Sequence, residues 1–173
     1  MSSGVIIIAD TSVLINFLRI DRMDLIGAHP SAFVATEHVA VEISDSYPDQ
    51  HARYRAAVIA GYLSEQRVDD PTEVELFLRL RQTPRLGTGE CSAISVALNR
   101  GHRLAIDDNR AISRALHEAG LAKRTLDIVR TQDIIVTLIQ AETLTVEAAD
   151  TILEDWASNN RFKLKISSFS EIT

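Results

Sequence analysis

The chain has 173 residues, of which 46% are hydrophobic and 24% charged, so it is long enough for one compact domain with a continuous core. Its formal net charge of -6 argues against a simple basic nucleic-acid binder, because an acidic chain repels the phosphate backbone. Any contact with nucleic acid therefore needs local basic clusters or bound cations. Cys91 is the only cysteine, which excludes an intramolecular disulfide and fits a reducing compartment. No apolar run approaches the roughly 20 residues that span a bilayer, and we expect a soluble protein in the cytoplasm.

The first half of the chain alternates short apolar runs with capped helical patterns. Residues 5–9 form a continuous, largely β-branched stretch, which predicts a strand buried on both faces, as in a parallel sheet. The patterns that follow predict a strand over 31–35, a helix over 37–43 with Thr36 as its N-cap, a helix between residues 49 and 66, a brief strand at Val68 and a helix from Asp70 to about Thr83.

The second half continues this alternation. The patterns predict a helix over 90–99 with Gly101 as its left-handed cap, a strand over 104–106, a helix over about 109–119 that ends at Gly120, a strand near 124–129, and helices over 132–141 and 146–157. Residues 162–166 alternate apolar and cationic side chains, which predicts a half-exposed strand at a sheet edge. We therefore expect a single α/β domain over 1–173, a three-layer α/β/α sandwich around a mostly parallel sheet.

Acidic residues stand where several predicted elements begin or end. Asp10 follows the first strand, and Asp107 and Asp108 follow the strand over 104–106. Ligands of parallel α/β sheets bind beyond the carboxyl ends of the strands, so these acids converge if the two strands are neighbours. Glu90 opens the helix that precedes the later strand and can reach the same edge. Carboxylates clustered in this way are stable when they hold a cation, and oxygen ligands favour Mg²⁺ or Mn²⁺ over zinc.

Each acid also has a purely structural interpretation. Glu90 can complement a helix dipole, and each of the three aspartates can cap a helix. Glu42, on the helix after the second strand, is a fourth candidate whose position equally suits exposure to water. Three acids that face one edge exceed what capping requires, which favours a site for a divalent cation. Such a cation lowers the pKa of a bound water and stabilises charge on a phosphodiester, and it thereby supports hydrolysis.

Three segments resemble the PIN-domain (PilT N-terminus) family in sequence, order and spacing. They read Ile-Ile-Ala-Asp-Thr-Ser-Val-Leu-Ile over 7–15, Leu-Gly-Thr-Gly-Glu-Cys-Ser-Ala-Ile over 86–94 and Leu-Ala-Ile-Asp-Asp-Asn over 104–109. The resemblance covers about residues 5–130 and implies a FEN-type nuclease core, followed by an extension of helices and a short strand over about 131–173. Small prokaryotic members include VapC-type toxins, which cleave RNA with Mg²⁺ or Mn²⁺ held by three or four acids.

The resemblance also assigns roles to individual acids. It implies that the catalytic acids are Asp10, Glu42, Glu90 and Asp108. The metal ligands it implies are Asp10, Glu90 and Asp108, with Asp107 as an additional acid, and it leaves open which of the two adjacent aspartates is the main ligand. The implied activity is that of an Mg²⁺- or Mn²⁺-dependent endoribonuclease, the toxin component of a toxin–antitoxin module.

Three further residues are candidates for contacts with the substrate. Ser12 matches a small hydroxyl residue near the family's metal site, with helix capping as the alternative. Arg85 precedes Glu90 and Arg110 follows Asp108, and arginine forks suit contacts with phosphate, although a solvated surface is the alternative for each. Other arginines near the acidic motifs are Arg79, Arg81, Arg100, Arg103 and Arg114. The resemblance also implies an RNA substrate, a homodimer and an antitoxin protein as partner.

Other protein classes that gather acids at strand ends fit less well. A receiver domain needs an acidic pair directly after the first strand, whereas the pair in this chain comes late. A dehalogenase-like phosphatase needs Asp-x-Asp where the chain has Asp10, Thr11 and Ser12. A Rossmann site needs a glycine-rich loop at the same point. The remaining alternative is a PIN-fold module that binds nucleic acid or assembles without turnover.

Overall fold

The computed structural model describes residues 4–173, so residues 1–3 of the predicted domain lie outside the described part of the chain. The strands are β1 (Ile6–Ala9), β2 (Ala32–Thr36), β3 (Ser64–Gln66), β4 (Arg103–Ala105) and β5 (Ile128–Val129). They form a sheet in the order β3-β2-β1-β4-β5, and every neighbouring pair is parallel. The carboxyl ends of β1 and β4 therefore lie side by side, as the predicted convergence of acids requires.

Helices cover both faces of this sheet. They are α1 (Thr11–Arg19), α2 (Met23–Ala28), α3 (Glu37–Ser46), α4 (Pro48–Ile59), α5 (Pro71–Arg81), α6 (Thr88–Arg100), α7 (Asn109–Leu121), α8 (Thr131–Gln140) and α9 (Val146–Asn159), followed by a short 3-10 helix, Phe169–Glu171. A first apolar cluster lies beneath α1 to α4, α8 and α9, and a second lies beneath α5, α6 and α7. The predicted three-layer α/β/α architecture is therefore confirmed. Within residues 4–173, no helix has the length and apolarity needed to cross a membrane.

The central strand β1 is buried on both sides. Ile7 and Ala9 contribute to the first cluster and Ile8 to the second, because alternate side chains of an extended chain leave the sheet on opposite faces. All three side chains are fully buried. This burial explains why the stretch is apolar throughout instead of alternating between apolar and polar residues.

Trp156 attaches the C-terminal part of the chain to α1. It is fully buried in α9, and its Nε1 donates a hydrogen bond to the Asn16 carbonyl oxygen at 2.8 Å. Its ring makes edge-to-face contacts with Phe17 and Phe162, at centroid distances of 5.7 and 5.1 Å. The last helix therefore packs on the helix that directly follows β1.

The strand predicted over 162–166 is wrong. This segment forms no strand and leads into the 3-10 helix. Phe162, Leu164 and Ile166 are half-buried against the first cluster, whereas Lys163 and Lys165 are exposed. An extended chain that lies on an apolar surface buries alternate side chains even without a partner strand. The period-2 pattern therefore reports one-sided burial and not membership of the sheet.

Two smaller predictions also differ from the structure. The strand expected at Val68 lies at Ser64–Gln66, and the Val68 N–H instead donates to the Glu37 carboxylate at 3.0 Å. The predicted end of α7 at Gly120 is wrong because the helix continues by one residue and Lys123 takes the left-handed conformation, at φ 53°. Neither difference moves an acidic candidate.

Candidate active site

Asp10 lies at the carboxyl end of β1 and caps α1. Its Oδ1 accepts a hydrogen bond from the Ser12 N–H at 2.8 Å, and its Oδ2 accepts one from the Ser12 hydroxyl at 2.9 Å. The Asp10 N–H donates to the Ala105 carbonyl oxygen at 3.0 Å, which fixes Asp10 beside the end of β4. The residue is only 1% exposed. Asp10 is thus a helix cap whose carboxylate is buried and held in place by Ser12.

Glu42 and Glu90 meet at the start of α6. Glu90 Oε2 accepts a hydrogen bond from the Gly87 N–H at 2.9 Å, and Glu42 Oε2 accepts one from the Gly89 N–H at 3.0 Å. The unpaired N–H groups of a helix N-terminus favour nearby negative charge. Both glutamates are half-buried. Glu42 therefore turns toward α6, and the alternative that it simply faces water does not hold.

Asp108 lies just beyond β4 and caps α7. Its Oδ1 accepts a hydrogen bond from the Ala111 N–H at 2.9 Å, and its side chain is exposed. Its charge contributes to the raised pKa of Glu90, so the two carboxylates lie within electrostatic reach of each other. Capping and membership of the acidic group therefore coexist at Asp108, as they do at Asp10.

Burial and nearby negative charges raise the pKa of two acids at this edge of the sheet, Asp10 and Glu90. The pKa of Asp10 rises to about 7, mainly because burial disfavours its charged form and further because Glu90 and Glu42 lie nearby. The pKa of Glu90 is raised by burial and by the charges of Asp108 and Glu42. The elements β1, α3, α6 and β4 thus bring four carboxylates together.

Oxygen atoms around these acids suit a hard cation. Thr11 is 3% exposed, and its Oγ1 is buried without a hydrogen-bond partner. A Cβ built on Gly89 would lie 2.6 Å from Thr11 Oγ1 and 2.5 Å from Glu42 Oε2, so these groups crowd together. A buried polar atom of this kind is usually satisfied by water, and oxygen ligands are those that Mg²⁺ and Mn²⁺ prefer. Within the described residues, however, no three His, Cys, Asp or Glu side chains have the spacing of a formed metal cluster.

Asp107 is turned away from the other acids. Its Oδ1 accepts a hydrogen bond from the Thr131 N–H at 2.9 Å, and its Oδ2 accepts bonds from the Thr131 hydroxyl at 2.6 Å and from Asn16 Nδ2 at 3.4 Å. The charges that raise the pKa of Asp10 and Glu90 do not include that of Asp107. Its carboxylate ties the end of β4 to α8 and α1, which leaves Asp108 as the aspartate that faces Glu90.

We expect Asp107→Asn to destabilise the fold more than Asp108→Asn. In asparagine an amide nitrogen replaces one Asp107 oxygen and faces Asn16 Nδ2, itself a donor, and the Thr131 hydroxyl, which already accepts from Asn16 Nδ2 at 3.1 Å. This mismatch of donors costs about 1–3 kcal/mol and lowers the melting temperature by about 3–10 °C for a chain of this length. Asparagine caps a helix about as well as aspartate, so Asp108→Asn is the matched control with little change in stability. Thermal unfolding followed by circular dichroism measures both, and equal melting temperatures would contradict the assignment.

The predicted substrate-binding residues occupy three different settings. Ser12 is exposed, but both its N–H and its hydroxyl donate hydrogen bonds to the Asp10 carboxylate. Arg85 lies in the loop before α6, in the left-handed conformation at φ 66°. Arg110 is the second residue of α7, close in sequence to Asp108. Both arginines are exposed, so their guanidinium groups are open to solvent and to a phosphate.

Three of the other arginines noted in the sequence have structural partners. Arg79 and Arg114 pair with Glu118 at 2.6 and 2.7 Å, and Arg100 pairs with Glu73 at 2.5 Å. Glu118 and Glu73 are only 2% and 1% exposed. A buried carboxylate is stable only when it is paired, so these arginines stabilise the helices that cover the second apolar cluster.

Some residues of this edge carry little signal in the sequence. Arg130 donates from Nη1 to the Asp107 carbonyl oxygen at 3.0 Å and from Nη2 to Asn109 Oδ1 at 2.6 Å. Thr11 is recognisable only once its hydroxyl is seen to be buried. Gly89 is the exception, because a glycine directly before the helix-opening glutamate indicates a close approach of another element.

A family model described as PIN domain matches residues 6–172. The chain belongs to the PIN-domain family. PIN domains are generally nucleases that use divalent metals. The matched range includes the C-terminal helices α8 and α9.

A solved structure shares the PIN fold. The chain is similar to a PilT N-terminus domain protein from the hyperthermophilic archaeon Sulfolobus solfataricus, with 16% sequence identity and a TM-score of 0.51. The similarity covers 82% of this chain and 95% of the archaeal one. No curated protein matches the sequence significantly.

Proposed function

We propose that this PIN domain is a metal-dependent endoribonuclease that hydrolyses RNA phosphodiester bonds. In this proposal Asp10, Glu90 and Asp108 hold an Mg²⁺ or Mn²⁺ ion, and Glu42 completes the acidic site. The observation that supports it most directly is the convergence of these carboxylates on the buried Asp10, whose pKa is raised to about 7 by burial and further by the charges of Glu90 and Glu42. Perturbed groups of this kind are concentrated at functional sites, because such crowding does not help the fold.

The side chains of the site have distinct tasks in this proposal. Ser12 orients the Asp10 carboxylate through two hydrogen bonds, and the N–H groups at the start of α6 orient Glu42 and Glu90. The cation, when bound, lowers the pKa of a water molecule and offsets charge on the phosphodiester. The buried Thr11 hydroxyl, which has no hydrogen-bond partner in the protein and lies near Glu42, is available to a water of the site. Asp10 binds the cation only when ionised, so protons compete with metal below about pH 7.

The finer assignment follows from the family resemblance. We infer that the protein acts in the cytoplasm as the toxin of a toxin–antitoxin module, that it is a homodimer, and that an antitoxin protein inhibits it. Arg85 and Arg110, which are exposed before α6 and at the start of α7, contact phosphates of the RNA. A PIN-fold module that binds nucleic acid without turnover is the second candidate. It is favoured by the spacing of the acids, since within residues 4–173 no three of them form a ready metal cluster.

Cleavage of labelled nucleic acid tests this proposal. Single-stranded RNA, structured RNA and DNA of the same sequence are incubated with the protein in Mg²⁺, Mn²⁺ or EDTA. We expect cleavage of RNA with either metal, none in EDTA, and recovery when metal is added in excess. Asp107→Asn, once shown to be folded, should cleave as the wild type does. RNA binding without cleavage in any metal would favour the second candidate, and equal cleavage of DNA would contradict RNA specificity.

A further inference from the structure

A groove of about 550 Å³ lies beside the acidic edge of the sheet. The C-terminal segment 162–166 forms one wall, and residues around the ends of β4 and β5 form the other. Two lining residues flank Asp108 in sequence, so the groove lies next to the start of α7. We call it the lysine groove. The lining residues that matter here are Asp107, Asn109, Arg130, Lys163 and Lys165.

Two exposed lysines line one wall of the lysine groove. Lys163 and Lys165 alternate with half-buried apolar residues that hold the segment on the first cluster. The chain has only one other lysine, Lys123. Neither groove lysine takes part in an ion pair with the described residues. Both ammonium groups are therefore available to a ligand.

The opposite wall contributes a third cation, Arg130, and one acid, Asp107, whose carboxylate is hydrogen-bonded inside the protein. Arg130 is held by hydrogen bonds to the Asp107 carbonyl oxygen and to Asn109 Oδ1. The Asp107 carboxylate accepts hydrogen bonds from the N–H and hydroxyl of Thr131. Asp107 keeps its negative charge, but Arg130 offsets it, and the two lysines then leave the lining of the groove with a net positive charge in a chain whose net charge is -6. Such a patch attracts an anionic polymer.

We propose that the lysine groove binds the sugar-phosphate backbone of the RNA strand beside the phosphodiester that the acidic site cleaves. This inference rests on the proposed ribonuclease function. Lys163 and Lys165 are both exposed on the side of the segment that faces away from the first cluster, and they are separated by the half-buried Leu164, so each can contact a different phosphate of one strand. Contacts with phosphate position a strand without reading its sequence. The C-terminal segment is therefore a substrate-binding element of this PIN domain.

Binding of RNA in the absence of metal tests the lysine groove. The double variant Lys163→Gln/Lys165→Gln is compared with Lys123→Gln, which removes the one lysine outside the groove. Fluorescence anisotropy of labelled single-stranded RNA in EDTA gives the dissociation constant at several salt concentrations. We expect the double variant to bind about tenfold more weakly at low salt, with a salt dependence reduced by about 1.4 in log–log slope for two lost phosphate contacts. Lys123→Gln should bind as the wild type does.

This experiment separates the groove from the ribonuclease proposal because it needs no cleavage. If the wild type cleaves RNA, the double variant should raise KM and leave kcat unchanged. Lys163→Arg/Lys165→Arg should keep the wild-type affinity, because it keeps both charges. The groove proposal is overturned if the double glutamine variant binds RNA as tightly as Lys123→Gln with the same salt dependence. It is equally overturned if the arginine variant loses affinity to the same extent as the glutamine variant.

Discussion

Asp10→Asn is expected to lower metal-dependent RNA cleavage by about 100-fold or more and to stabilise the metal-free protein above pH 7. Burial of this carboxylate, which is 1% exposed, raises its pKa from 3.8 to about 7, with smaller contributions from the charges of Glu90 and Glu42. Asparagine is neutral and keeps both contacts with Ser12, because its carbonyl oxygen accepts from the N–H and its amide donates to the hydroxyl. The variant therefore removes the buried charge without removing the helix cap.

The pH dependence of this effect has a definite sign. A carboxyl group whose pKa is raised in the folded state holds its proton more tightly there than in the unfolded chain. The stability that it contributes is complete below pH 3.8, falls as the pH rises and is lost above about pH 7. The ionised group then costs on the order of 2–4 kcal/mol, equivalent to about 5–10 °C in melting temperature. We expect the stabilisation by Asp10→Asn to grow over this pH range and then level off.

Thermal unfolding between pH 5 and 8.5, with and without Mn²⁺, measures this prediction. Mn²⁺ should raise the melting temperature of the wild type at pH 8 and have little effect on Asp10→Asn, because only the wild type binds the ion tightly. Asp45→Asn is the matched control, since Asp45 is an exposed acid on α3 and its replacement should change neither property. Equal melting temperatures of Asp10→Asn and the wild type at pH 8 in the absence of Mn²⁺ would show that Asp10 is not in a crowded acidic site.

Gly89→Ala is expected to reduce both cleavage and stability. The added methyl carbon would lie 2.5 Å from Glu42 Oε2 and 2.6 Å from Thr11 Oγ1, so α3 or the Glu42 side chain must move away from α6. Overpacking of a buried contact costs about 1–3 kcal/mol. This loss exceeds the roughly 0.5–1 kcal/mol by which alanine is favoured over glycine in a helix. Displacement of Glu42 should lower the cleavage rate about tenfold or more.

Gly120→Ala provides the control for this substitution. Gly120 also lies in a helix, but a Cβ built there meets no atom within 4 Å. Helix propensity alone then acts, and we expect a slight gain in stability with unchanged cleavage. Denaturant unfolding and initial cleavage rates compare the two variants. If Gly89→Ala were as stable and active as Gly120→Ala, the close approach of α3 to α6 would have no role in the site.

The parts of the fold that could be predicted are those whose physical cause is local. β1 is recognisable because burial on both faces requires an unbroken apolar run of a few residues. The local sequence predicts Thr36 as an N-cap, and its hydroxyl accepts a hydrogen bond from the Val39 N–H at 3.3 Å. The alternation over 162–166 predicts a strand wrongly because the same pattern has two physical causes, pairing in a sheet or lying on an apolar surface. The local sequence does not distinguish them.

The arrangement of the acidic site depends on contacts between residues far apart in the chain. Glu42 faces α6 because its carboxylate accepts from the Gly89 N–H, 47 residues away. Asp107 is directed away because Thr131, 24 residues further on, supplies both an N–H and a hydroxyl. Asp107 and Asp108 cannot be distinguished in the sequence. Their environments differ because Thr131, at the start of α8, donates hydrogen bonds to Asp107. The motifs therefore predict which acids lie at this edge of the sheet, whereas the hydrogen-bond partners of each acid depend on residues far away in the chain.

The packing of Trp156 gives the protein a built-in optical reporter. It is the single tryptophan of the chain, it is fully buried, and its ring lies between Phe17 of α1 and Phe162, the first residue of the segment that carries the groove lysines. The emission of this one indole therefore depends on whether the C-terminal segment is docked. Solvent reaching the ring would shift the emission to the red, so the state of the groove can be followed in unlabelled protein while RNA binds.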